Sequence, residues 1–381
     1  MKVAFLLGSM NRGGIETLHL DIIHMVEFAK FDILVLFRKD GDLRNAFEVS
    51  KVPVIHIAYE HKWRIWNYIK NIRRFVKFEQ IDIIHTSQRL DTIIAWIAAL
   101  RFNTKVVQTI HDFDFNYSKI DRLIISLSFK ISEWNIFVSE YQKMYYCTKY
   151  ELWAKNNISV VYNGIDFNKF KLTNIHSIRE QYKIRSHITL MGTVGNFNIG
   201  RDHMTICRFL VLLLKHGFDF RFLFIGKKDI NNPQYFNDCL TYCVNNGLSE
   251  KVIFLGSYSD VPGLLSQLDL YVYSSEHDTF GIAVIEAIAS GIPVFVNDWE
   301  VMKEITENGK RAIIYRSKDE NDLFEKYLKY CSQSDYFHSI IKQNAEWARI
   351  KFNIQQHLVQ LQQVYNEVGQ DNIVPDFESN N

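Results

Sequence analysis

Two carboxylates stand eight positions apart in DTFGIAVIEAIASGIP, residues 278–293, and Glu286 is the only charge between Gly281 and Asn297. Ile282, Val284, Ile285, Ile288 and Ala289 surround Glu286 with apolar groups, and Gly291 with Pro293 ends the helix that this pattern predicts. An ionised carboxylate in such surroundings is costly unless something pairs with it. Gly281 would let a ligand press against the helix start, where unbonded N–H groups suit a phosphate. Glu286, one turn beyond Ile282 and about 6 Å along the axis, would then reach vicinal hydroxyls of a sugar attached to that phosphate. The chemistry expected is that of a nucleotide, with ribose on Glu286. Asp278 and Thr279 carry the plainer expectation of N-cap residues.

Three further loops offer chemistry. In GTVGNFNIGRDH, Gly192, Gly195 and Gly200 precede a helical pattern that Arg201 opens, an arrangement suited to phosphate. In QTIHDFDF, His111 and Asp112 follow a β-rich run, where an acid–base pair and a surface turn with an Asp cap are both open readings. In GSMNRGGIET, Gly8, Gly13 and Gly14 precede a helix; either a ligand approaches the backbone there or the chain simply turns tightly. The dinucleotide fingerprint GxGxxG is absent.

The elements that must position these loops alternate between short β-rich runs and longer helical patterns. Strands are expected at Val3–Leu7, Ile33–Phe37, Val54–Ile57, Ile81–Thr86, Lys105–Thr109, Asn135–Val138 and Ser159–Tyr162. A second series is expected at Thr189–Val194, Arg221–Ile225, Val252–Leu255, Leu270–Tyr273, Val294–Val296 and Ala312–Tyr315. Continuous apolar strands spaced by helices imply parallel sheets covered on both faces, and two such series imply two doubly wound domains. VYNGIDFNKF, residues 161–170, marks the expected boundary, and ligands are expected in a cleft at the strands' carboxyl ends. Residues 335–368 read as helical with a break near Phe352-Asn353, and the last residues show no periodicity.

The 381 residues are enough for two cores, and 47% hydrophobic content excludes a disordered chain. Lys and Arg (44) balance Asp and Glu (43), so no global field recruits nucleic acid. No run of eighteen uncharged apolar residues offers a membrane span, and the first residues read as a strand rather than a signal peptide. Cys147, Cys207, Cys239, Cys243 and Cys331 lack CxxC spacing and read as reduced thiols of a cytoplasmic protein. No aspartate-rich metal motif appears.

Taken in order, these loops resemble the family 4 retaining glycosyltransferases, the glycosyl transferases group 1. The matching residues run from about 3 to 350: Gly13-Gly14, His111-Asp112, Ser139, VYNGID, VGNFNIGRDH and DTFGIAVIEAIASGIPV. The resemblance implies an α/β fold of GT-B architecture, two doubly wound, Rossmann-like parallel-sheet domains facing a cleft. It implies an acceptor-side domain over residues 1–165 and a nucleotide-sugar domain over 166–350, a C-terminal helix over 351–368 returning to the first domain, and a frayed tail over 369–381. It assigns Glu286 to the ribose, Asp278 with Phe280 and Gly281 to the donor sugar, and Arg201 and the Asn196 loop to the diphosphate. Gly13 and Gly14 are expected near the donor phosphates, and His111 near the reacting carbon; His111, Asp278 and Arg201 are the expected catalytic residues. No cofactor and no metal are expected.

Three departures from the family pattern stand out: Asp278 replaces a usual Glu, Arg201 a usual Lys, and Asn196 a usual Arg. One cation fewer weakens stabilisation of a leaving diphosphate, an effect on the order of a few kcal/mol. The function so implied is transfer of a sugar from a nucleotide-sugar donor to a glycan or lipid-linked acceptor in cell-surface polysaccharide biosynthesis. The alternatives are a nucleotide-sugar epimerase on the same fold and a non-catalytic sugar-nucleotide-binding subunit. Finally, HKWRIWNYIKNIRRFVKF, residues 61–78, has six Lys or Arg and no acid. Its stripe of Ile65, Ile69, Ile72 and Val76 leaves Trp63, Lys70, Arg74 and Phe78 opposite, which suits an anionic membrane surface or an ordinary packed helix with a solvated face.

Overall fold

A computed structural model describes residues 1–59, 65–171, 177–198, 200–230 and 232–370. The chain divides into two compact units, Met1–Ile165 with Ile354–Asn381, and Asp166–Asn353. All thirteen expected strands form, within a few residues of the expected bounds, in two all-parallel sheets.

The first sheet contains β1 (Lys2–Leu7), β2 (Asp32–Phe37), β3 (Val54–His56), β4 (Ile83–Thr86), β5 (Lys105–Ile110), β6 (Trp134–Phe137) and β7 (Ile158–Val160), in the order β3-β2-β1-β4-β5-β6-β7. Alternation along β1 explains why its strand reads as continuously apolar. Val3, Phe5 and Leu7 pack with the helices Gly14–His24 and Ile354–Gln370, while Ala4 and Leu6 pack with Ile65–Glu79 and Arg89–Ala99.

The helix Ile354–Gln370 belongs to this unit because it completes the core with Leu358, Leu361, Val364 and Tyr365. Its start is tied by the Ile354 N–H donating to the Ile165 carbonyl at 3.0 Å and by His357 Nδ1 at 2.8 Å from the Tyr162 carbonyl. The expected bound at 350 falls three residues later, at Asn353. The helix Ser334–Lys351 runs through 350, and the Phe352 ring beyond it packs edge-on against Trp347 and Phe280 of the second unit.

The second sheet contains β8 (Thr189–Val194), β9 (Phe220–Ile225), β10 (Val252–Gly256), β11 (Leu270–Tyr273), β12 (Val294–Asn297) and β13 (Ile313–Tyr315), in the order β10-β9-β8-β11-β12-β13. Phe220, Phe222 and Phe224 of β9 face the helices His203–Lys215 and Pro233–Asn245 in a core rich in aromatic rings. Cys207, Cys239 and Cys243 lie buried in the same core, and all five cysteines are free thiols.

Strand order in each sheet reverses beside the unit's first strand, between β1 and β4 and between β8 and β11. At such a reversal the connections diverge to opposite faces and leave a crevice outside the carboxyl ends. The loops after β8 and β11 are those that carry Arg201 and Asp278.

Candidate functional site

In the second unit the predicted donor residues gather at the β8/β11 reversal. The loop after β8 is held to the loop after β11 by backbone bonds. The Glu276 N–H donates to the Gly200 carbonyl at 2.9 Å, and the Asp202 N–H to the Ser274 carbonyl at 3.1 Å. Asp202 then caps the helix His203–Lys215 by accepting from the Thr205 N–H at 3.2 Å. This leaves Arg201 at the end of a braced turn, its guanidinium 4.7 Å above the Tyr273 ring and its Nη1 2.9 Å from Asp278 Oδ2. Nη1 is buried yet has no acceptor in hydrogen-bonding alignment, so the contact with Asp278 is one of charge alone.

Asp278 is not the N-cap that its sequence position suggested. The cap of the helix Ile282–Ala289 is Gly281, with no side-chain bond. Asp278 instead accepts a short hydrogen bond from the Tyr273 hydroxyl, and its carbonyl accepts from Trp299 Nε1 at 2.9 Å. Burial raises the Asp278 pKa above the usual carboxylate value, with Arg201 opposing the shift.

Gly281 has a reason other than room for a ligand. Its φ of +88° lies in the left-handed region, and a Cβ there would come 2.8 Å from Met302 Cε. Phe280, 2% exposed, is an internal packing residue whose backbone alone is placed to line a site. Glu286 is half-buried on the helix, and its charge acts on the buried Tyr271 hydroxyl together with those of Arg201 and Asp278. Asn196 is exposed, but its side-chain carbonyl accepts from the Lys227 N–H at 2.8 Å, so it braces the loop.

The first unit places Gly13, Gly14 and His111 at the carboxyl edge of its own sheet. Gly13 caps the helix Gly14–His24 with extended backbone. The acid in that helix's first turn is Glu16, which accepts from the Ser9 hydroxyl at 3.4 Å and whose pKa burial raises. An anion brought to this helix start meets a carboxyl group already there.

His111 is half-buried, and burial together with the neighbouring His19 and His357 pushes its pKa down to about 3. The ring is therefore neutral near pH 7 and offers a hydrogen bond rather than a proton. Asp112 does not serve His111: its carboxylate accepts from the Tyr117 hydroxyl and lies 3.9 Å from Arg89.

Several residues at these edges were not singled out from sequence. Tyr273 and Trp299 follow or end strands at the donor edge, and their position after apolar runs was the available signal. In the first unit, Arg38 lies 3.1 Å from the fully buried Asp91, whose pKa burial raises to about 6. Among the described residues no group of three or more His, Cys, Asp or Glu is placed to hold a metal ion, and no helix is long and apolar enough to cross a membrane.

Comparison with known proteins finds two family matches: Glycosyltransferase Family 4 over residues 12–169 and Glycosyl transferases group 1 over residues 174–347. Among curated relatives, the N-acetyl-alpha-D-glucosaminyl L-malate synthase of Bacillus anthracis is 21% identical, across 86% of this chain and 83% of its own. The UDP-Gal:alpha-D-GlcNAc-diphosphoundecaprenol alpha-1,3-galactosyltransferase of Escherichia coli is 24% identical, across 75% and 76%. Among solved structures, Anabaena HepE in complex with UDP and glucose aligns at a TM-score of 0.84 and 18% identity, covering 96% of this chain and all (100%) of that one. A Rickettsia africae glycosyltransferase aligns equally well, at 0.84 and 19% identity, covering 97% of this chain and 99% of that one.

Proposed function

This chain belongs to the family 4, group 1 glycosyltransferases with the GT-B fold, and on that premise we propose that it moves a sugar from a nucleoside-diphosphate donor to a glycan or lipid-linked acceptor, with retention at the anomeric carbon. The observation that carries this reading is Arg201 at the β8/β11 reversal, with a buried Nη1 that no aligned acceptor satisfies. Glu286, on the helix that follows β11, accepts the two ribose hydroxyls. Asp278 and the Phe280-Gly281 backbone take the sugar. Neither an epimerase nor a non-catalytic subunit draws support from the relatives above.

Transfer breaks the bond between the anomeric carbon and the diphosphate oxygen and leaves the electron pair on that oxygen. The acceptor hydroxyl forms the new bond and loses its proton. Arg201 meets the charge that grows on the departing oxygen, in a site where burial strengthens the interaction. Tyr273 beneath the guanidinium and the braced turn hold Arg201 in place before the donor arrives. His111, neutral near pH 7, polarises without protonating. No metal is assigned a part in this reading.

The donor reading is tested by calorimetric titration with UDP, GDP and ADP. Arg201→Ala should weaken the best binder by about tenfold or more, and excess EDTA should leave the wild-type titration unchanged. Unaltered affinity in Arg201→Ala would remove it from the phosphate site.

We further propose that the enzyme works in the cytoplasm at the inner face of a membrane, on the outer surface of the first unit. The stripe Ile69, Ile72 and Val76 is buried as expected, with Ile65 packed beside it; Trp63 lies outside the described residues. The support extends past residues 61–78, because the helices Ile65–Glu79, Arg89–Ala99 and Lys119–Ile131 pack side by side. Their outer faces expose Trp66, Phe78 (83%), Trp96, Ile120 (71%), Leu123 (70%) and Leu127. Lys70, Arg74, Lys77, Lys119, Arg122 and Lys130 are exposed among them. Each acid on these helices is taken up by a base: Glu79 by Lys2, Asp91 by Arg38 and Asp121 by Arg89. Apolar side chains ringed by unopposed bases suit an anionic lipid surface.

A further inference from the structure

The second unit holds a cavity of about 230 Å³ beside β13, the last strand on that side of its sheet. The helices Glu320–Ser332 and Ser334–Lys351 pack on one another over it, and the end of the helix Ile282–Ala289 forms another wall. Val294 and Ile313 line it at the amino ends of β12 and β13. It therefore lies opposite the carboxyl edge that carries Arg201 and Asp278. Ile288 lines it as well, two residues and about 200° around the helix from Glu286.

The wall is apolar but incompletely covered. Ile288 is buried, whereas Ile313, Phe337, Ile340 and Ile341 are half-buried. No described side chain fills the space between them. Apolar surface left in water there costs about 25 cal/mol for each Å², which an apolar ligand would recover.

The charged residues that line the cavity are all bases, Lys310, Arg311, Lys326 and Lys329, with no aspartate or glutamate among them. Arg311 is committed elsewhere, its Nε 2.8 Å from Glu307 and its guanidinium 4.7 Å above the Trp347 ring. The three lysines enter no ion pair among the described residues. A lysine lays its stem along apolar surface and keeps its ammonium in water. Lys310 and Lys329 are exposed and Lys326 is half-buried, so an apolar cavity opens through a basic mouth.

These two properties select a ligand. An apolar cavity of about 150 Å³ accepts benzene, so this one admits about eight or nine carbons. That is one chain of medium length, too little room for the two chains of a diacyl lipid. The basic mouth favours an anionic head held beside water. We propose that this cavity binds a medium-chain alkyl carboxylate, its chain against Ile288, Ile313 and Ile341 and its head facing the three lysines. The site stands independently of the donor reading.

The test is calorimetric titration of the whole enzyme with decanoate, decanol and decyltrimethylammonium. Decanoate should bind saturably, one per chain, and raise the melting temperature. Decanol should bind about tenfold more weakly, since the exposed charge pairs are lost, and decyltrimethylammonium should not bind. Lys326→Glu with Lys329→Glu should lower decanoate to the affinity of decanol while leaving decanol unchanged. Ile341→Trp, which fills the cavity from a half-buried position, should remove binding of both. Absence of saturable decanoate binding would overturn the proposal. Decanol bound as tightly as decanoate, or wild-type decanoate affinity in the double lysine variant, would do so too, because the occupant would then not be an anion held by these bases.

Discussion

At the scale of single residues, the donor edge is governed by one competition. On the proposed donor reading, a diphosphate and Asp278 are rival anions for Arg201, and the Tyr273 hydroxyl also donates to Asp278. On that reading, a diphosphate on Arg201 would release the carboxylate toward the sugar hydroxyls. Asp278→Asn removes the competing charge but also the anionic acceptor for those hydroxyls. It should therefore bind the bare nucleoside diphosphate a few-fold more tightly, about 1 kcal/mol for a partly buried pair, while slowing transfer. Titration and steady-state kinetics on the same variant check both halves; weaker diphosphate binding would contradict the competition. The sequence shows Arg201 and Asp278 as separate features, because their pairing depends on two strands that become neighbours only in the folded sheet. Glu286 was legible earlier, since a lone charge in an apolar helix needs a reason wherever the helix lies.

Elements were more legible than contacts. Strands of a parallel sheet covered on both faces are largely apolar runs, so all thirteen could be read from short β-branched or aromatic stretches between helical patterns. Loop glycines were legible only as glycines. Gly281 invites a reading as ligand space, whereas its backbone conformation and the Met302 side chain account for it within the fold. Likewise the basic face of Ile65–Glu79 was visible, but its continuation onto Lys119–Ile131 depends on which helices lie side by side. That three-helix face carries a prediction of its own. The protein should sediment with vesicles containing phosphatidylglycerol and not with neutral phosphatidylcholine vesicles. Ile120→Ser with Leu123→Ser should reduce binding severalfold at unchanged donor affinity. Equal binding to both vesicles, or none to either, would contradict the proposal.

At the scale of the molecule, histidines with depressed pKa values, buried or half-buried, are unevenly divided between the units. His19, His85, His111 and His357 lie in the first, with pKa values lowered to about 4, well below normal, to about 3 and to about 4 respectively, all chiefly by burial. His203, lowered to about 3, is the buried histidine of the second. An unfolded histidine binds its proton near pH 6.5, so between there and about pH 4 the unfolded chain holds more protons and stability falls as pH falls. Asp91, raised to about 6, acts in the opposite sense between about pH 4 and 6, as do Glu16 and Asp112, both raised by burial, but these are three groups against four. Lowering the pH from 7 to 5 should therefore destabilise the first unit more than the second. Hydrogen exchange on the helices Ile354–Gln370 and His203–Lys215 at the two pH values measures this; equal losses of protection would contradict it.

The central claim, that this edge of the second unit binds a nucleotide sugar and that Glu286 holds its ribose, is tested most directly by measuring sugar transfer and nucleotide affinity in Glu286→Ala with its melting temperature as a control. The account predicts loss of transfer and at least about tenfold weaker binding at unchanged melting temperature. Wild-type turnover in that variant would contradict it.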